Sequence, residues 1–119
     1  MPSVPSKNSA QRLQDILDNI NAIREFVGAM DFTAFAADRR TTYAVIRALE
    51  IISEAVKRLP SELKDRHPSI DWPAVAAAGN IYRHEYDAVD ESLIWQTIQH
   101  DLEPLKHVVA SELQRLSFP

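Results

Sequence analysis

The sequence predicts an all-α fold, a bundle of four main helices, and three observations carry that expectation. Apolar residues recur at alternating spacings of three and four along each long segment, and no stretch alternates apolar and polar residues as a half-buried strand would. Aspartates and prolines, which cap and stop helices, stand at the ends of those periodic runs. With 119 residues, 45% of them apolar and 25% charged, the chain fits one globular domain able to bury roughly two thirds of its unfolded surface.

Each element follows in order. Residues 1–7 read as a disordered lead-in to a single domain over 8–119. Asn8 and Ser9 offer an N-cap, with Gln11 in capping-box spacing. Leu13, Ile16, Leu17, Ile20, Ile23, Phe26, Val27 and Met30 then form one stripe, opposite Asp15, Asp18, Asn19, Arg24 and Glu25. Asp31 to Ala37 is a short helical turn or a packed loop. Asp38 caps a second long helix that reaches Leu59, where Pro60 stops it. That helix carries two stripes, Val45, Leu49, Ile52, Val56 and Leu59 beside Ala44, Ala48, Ile51 and Ala55. Two stripes mean burial on two sides, at the centre of a bundle or at a dimer seam.

A polar connection over 60–72 has room for one helical turn, and Asp71 with Pro73 marks the next helix start. This third helix, from Pro73 to about Arg83, is rich in small residues, which lets neighbouring backbones approach closely. Glu85 to Val89 reads as a loop. Asp90 and Ser92 open a last helix with Leu93, Ile94, Ile98, Leu102, Leu105, Val109, Leu113 and Leu116 on its inner face. Pro104 should kink that helix or divide it near Asp101.

Composition narrows the chemistry. With no cysteine, disulfides, thiolate zinc sites and cysteine nucleophiles are all excluded. Gly28 and Gly79 are the only glycines, so neither a P-loop nor a dinucleotide-binding fingerprint can be written. A formal charge of −4 argues against long-range capture of nucleic acid and leaves room only for a local basic cleft. The polar opening with Pro2 and Pro5 is no signal peptide, and no apolar run approaches a bilayer span, so a cytoplasmic protein is expected, with no membrane contact. Of four histidines, His67 reads as a solvated loop residue. His100 and His107 have no acid three residues before them and read as polar edges rather than ligands. His84-Glu85 is not a zinc-protease start, because position 88 is alanine. No metal or cofactor is expected.

The densest reactive cluster is Asn80-Ile81-Tyr82-Arg83-His84-Glu85-Tyr86-Asp87. An imidazole near neutrality passes protons both ways, and a guanidinium holds a phosphate by two parallel hydrogen bonds. Together they suit metal-free cleavage of an RNA phosphodiester, with the 2′-OH as nucleophile. The same residues also suit a plain helix C-terminus, where Arg83 and His84 offset the dipole.

At this cluster the chain resembles the HepT-like group of HEPN-domain proteins, the toxin half of bacterial and archaeal toxin–antitoxin pairs. The likeness runs from about Leu13 to Leu116. It includes AVIRALEIISEAVKRLP at 44–60, IDWPAVAAAGN at 70–80, and His84-Glu85-Tyr86 ahead of Val89-Asp90. It implies a HEPN four-helix bundle that forms a homodimer, a metal-independent ribonuclease cleft near the twofold axis, and a nucleotidyltransferase antitoxin as partner. The family's motif is an arginine, four residues, histidine, any residue, tyrosine. His84 and Tyr86 match, and so does Asn80 after the arginine's place, but that place holds Gly79. The resemblance makes His84 the proton-transfer group and Tyr86 a supporting residue and the site of AMP transfer from the antitoxin. Arg83 is offset by about 100° from His84. Arg39, Arg40 or Arg47 of the second helix are further phosphate-holding candidates. Glu54 and Ala55 match a habitual Gly-Glu-Ala, with Ser53 in the glycine's place, and Glu54 either approaches the His84 region or lies on a solvated edge. Two expectations follow: a ribonuclease toxin, or a module that binds RNA or its partner without cleaving.

Overall fold

The computed structural model describes residues 5–84 and 90–117, with side chains over 9–79 and 90–117. Among the described residues there are seven helices and no strand. These are α1 (Pro5–Val27), α2 (Phe32–Ala37), α3 (Arg39–Lys57), α4 (Ser61–Asp65), α5 (Trp72–His84), α6 (Glu91–His100) and α7 (Leu102–Ser117). The long helices pack in the order α5, α3, α1, α7, and α6 runs into α7 while touching α2. The body is elongated, 48 × 28 × 23 Å.

α1 begins at Pro5, so the cap expected at Asn8 falls inside the helix and Ser9 is buried there. It ends where Gly28 adopts φ +53°, a left-handed cap that donates its N–H to the Arg24 carbonyl. Leu13, Ile16, Ile20, Ile23 and Val27 of its stripe are buried, whereas Phe26 faces outward. Asp31 accepts from the Ala34 N–H and starts α2, whose Phe35 is fully buried with its ring 5.2 Å from that of Trp95. Asp38 serves two helices. Its N–H closes α2 on the Phe35 carbonyl, and its carboxylate accepts the Thr41 N–H at the start of α3.

α3 is the centre of the bundle, packed on α1 along one side and on α5 along another. That placement accounts for both of its stripes within one chain, so the second stripe does not call for a seam with another copy. The polar connection contains α4, and the buried Trp72 indole N–H donates to the Lys64 and His67 carbonyls. Asp71 caps α5 by accepting from the Ala74 N–H. The last helix is divided at Asp101, and Pro104 lies in the first turn of α7, where a missing N–H removes no intrahelical bond. Ile94, Ile98, Leu102, Leu105 and Val109 face the core, while Leu93 and Leu116 of the expected face lie largely exposed. Glu112 takes an inner position instead and is 3% exposed.

Candidate functional site

α5 carries the first part of the reactive cluster, Asn80 to His84, and packs on α3 with one especially close contact. The Ser53 hydroxyl donates to the Val75 carbonyl at 2.9 Å and accepts from the Gly79 N–H at 3.0 Å. A regular helix would join those two backbone groups to each other. Ser53 therefore sits against the backbone of α5 one turn before Arg83. Gly79 is buried in this contact. A Cβ there would meet the Ser53 Cβ at 3.1 Å and the Glu50 Cα at 3.2 Å. The place where the resemblance expects an arginine is thus closed against α3.

Gly79 also lines a groove of about 220 Å³ that α1 and α3 build beside it. α1 brings Arg12 and Asp15, and α3 brings Arg47, Glu50, Ser53, Glu54, Lys57 and Arg58. Of the three second-helix arginines proposed from sequence, Arg47 alone is on this groove, paired with Glu50 at 3.3 Å. Arg39 instead donates to the Tyr43 hydroxyl and lies over its ring, and Arg40 is exposed outside the groove. Glu54 is exposed on the same groove and holds Arg58 at 3.1 Å and Lys57 at 3.8 Å, while its expected approach to His84 falls on side chains outside the described residues. The side chains of Asn80, Arg83 and His84, and the whole of Tyr86, lie outside the described residues; the backbone of α5 runs helically to His84.

A larger cleft, about 550 Å³, occupies the side of the bundle between α5 and α6–α7. Leu49, Ile52, Val75, Ala78 and Leu105 give it an apolar lining, with His100 and Asp101 also on it. His107 reaches Glu103 at 3.2 Å in an exposed pair, a surface edge as its sequence context suggests. No group of three potential metal-ligating side chains comes together among the described residues.

His67 is not a solvated loop residue. Its Nε2 is 2.6 Å from Glu112, and Arg66 donates to both oxygens of the same carboxylate at 3.2 and 2.9 Å. The Arg66 hydrogen bond holds the Glu112 carboxyl below the ordinary carboxylate range, against burial, which acts to raise it, and His67 adds to the lowering. This network ties the α4–α5 connection to α7. Sequence reasoning missed it because its members stand 45 and 46 residues apart.

Comparison with known proteins bears on the same residues. A family model described as ribonuclease HepT-like matches residues 16–112. A Thermococcus cleftensis protein named "Probable ribonuclease HepT" is 42% identical over 94 residues, covering 79% of this chain and 86% of that protein. A Caldanaerobacter subterraneus protein classed by name as an RNase is 36% identical, covering 87% of this chain and 92% of its own. One from Methanocaldococcus jannaschii, likewise classed, is 32% identical, covering 89% and 91%. No solved structure matches.

Proposed function

Because the chain belongs to the HepT-like ribonuclease family, we propose that it is a metal-independent endoribonuclease and the toxin of a toxin–antitoxin pair. The carrying observation is that the family match runs over residues 16–112, most of the bundle, and includes the sequence His84-Glu85-Tyr86. In this reading His84 takes the proton of an RNA 2′-OH as O2′ bonds to phosphorus. The bond from phosphorus to the 5′-oxygen breaks, and that oxygen takes up a proton. The products are a 2′,3′-cyclic phosphate and a 5′-hydroxyl. Arg83 or Arg47 holds the phosphate, with Asn80 as a further contact. Tyr86 supports the site; a nucleotidyltransferase antitoxin joins its hydroxyl oxygen to the α-phosphorus of ATP, pyrophosphate leaves, and the AMP adds a charge that repels RNA.

Metal independence rests on residue types: the chain has no cysteine, and none of its histidines follows a glutamate at the spacing of bundle metal sites. A second copy completes the site about a twofold axis, and the protein works in the cytoplasm. No described helix is long and apolar enough to cross a membrane. Gly79 favours a second reading, a module that binds without cutting, because the motif arginine is absent there and a side chain would press on Ser53 and the Glu50 backbone.

The experiment is RNA cleavage by purified protein with and without EDTA, beside His84→Ala. The expected result is cleavage unaffected by chelator and reduced at least 10²-fold in the variant, about what loss of a positioned acid–base group costs. Cleavage that survives His84→Ala, or that chelator abolishes, overturns the mechanism. No cleavage by the wild-type protein leaves the binding module as the function.

A further inference from the structure

Among the described residues, the charged side chains on the groove beside Gly79 have polar partners, with one exception. Arg47 meets Glu50, and Arg58 and Lys57 share Glu54. The Asp15 carboxylate accepts from the Gln11 amide at 2.9 Å. That leaves Arg12. Among the described residues it has no hydrogen bond or ion pair, and it alone of the arginines is half-buried rather than exposed. Elsewhere in this protein guanidiniums that meet a neighbouring helix take a carboxylate: Arg24 takes Glu103, and Arg66 takes Glu112.

A partly desolvated guanidinium without a partner has its fork of donors free for a planar or tetrahedral oxyanion. Its groove includes Gly79, five residues before His84, or about 7.5 Å along the helix axis. From Trp72 to Gly79, α5 itself brings no cation to the groove. We propose that Arg12 forms a phosphate-binding subsite on this groove for the RNA strand next to the phosphodiester cut at His84. The subsite rests on the ribonuclease reading for its ligand. Its described side chains come from α1 and α3. The protein's net charge of −4 makes such a local cation the point where a polyanion is held.

The test separates the subsite from the activity. RNA affinity is measured against salt concentration in a His84→Ala background, so that cleavage does not interfere. Arg12→Gln keeps most of the side chain's length and removes its charge. It should weaken binding about tenfold and reduce the slope of log affinity on log salt by about one. Arg12→Lys should keep the slope, and Arg115→Gln, at the far end of α7, should match its parent. In the active background, Arg12→Gln should raise KM with kcat little changed. On the wild-type protein, bound RNA should also shield Arg12 from an arginine-specific dicarbonyl reagent, a readout that needs no variant to fold. Equal affinity and slope in folded Arg12→Gln, or equal labelling with and without RNA, overturns the subsite. A wild-type protein that cuts no RNA sinks the ribonuclease reading, while the slope and labelling still decide the subsite.

Discussion

Gly79 shows how one absent side chain positions a helix. With Ser53 and the Glu50 backbone 3.1–3.2 Å from where its Cβ would be, Gly79→Arg should lower stability by about 1–3 kcal/mol through overpacking. Urea unfolding is the check, and an unchanged midpoint would mean that the position opens to the groove. The sequence left both outcomes open, because a glycine facing a cleft and one pressed against a helix look the same in one dimension. Glu112 was less legible still. At a core register position it reads as a polar interruption, and only the folded chain brings Arg66 and His67 to it. Its lowered carboxyl, held chiefly by Arg66, contributes stability that is present above the unfolded glutamate range and lost as pH falls through the lower folded value. Wild-type stability should therefore fall more steeply in acid than that of Glu112→Gln, measured by thermal melting between neutral pH and the carboxylate range. Parallel curves would show that the carboxylate's charge is not what the network uses.

Helix starts were readable wherever the signal is local. Asp38, Asp71 and Asp90 each accept the N–H of the residue three positions on, a contact made within one turn and so visible in spacing alone. Asp38→Ala should cost about 1 kcal/mol, and more if the end of α2 frays with it, since the same residue closes that helix. Equal unfolding midpoints for Asp38→Ala and wild type would argue that the cap is redundant with packing. The stripe of α7 was readable at Leu102, Leu105 and Val109, whereas Leu116 of the expected face lies exposed and Glu112 takes an inner place. What periodicity did not reveal is which neighbour covers which stripe. The two stripes of α3 are a one-dimensional statement of burial on two sides, and they name neither α1 nor α5. The cluster Asn80 to Asp87 was proposed from residue types, whereas Arg12 drew no notice, because nothing on α1 marks it until the helix lies beside α3.

Across the molecule, the expected homodimer is checked by light scattering, which should give twice the chain mass at micromolar concentration. A monomer there would remove the shared twofold site and leave any cleavage to single chains. The order α5, α3, α1, α7 has a further result that concerns synthesis rather than chemistry. α1 is covered on one side by α3, its near successor, but on the other by α7, and their Arg24–Glu103 ion pair joins residues 79 apart. Seventy-four residues separate the end of α1 from the start of α7. At about 5–20 residues per second, a ribosome needs about 4–15 s to make them. During that interval α1 and α3 can already zip together, while the flank of α1 reserved for α7 has nothing to cover it. The nascent chain is then a half-built bundle with a sticky side, open to chaperones or to a neighbouring copy until the last helix emerges.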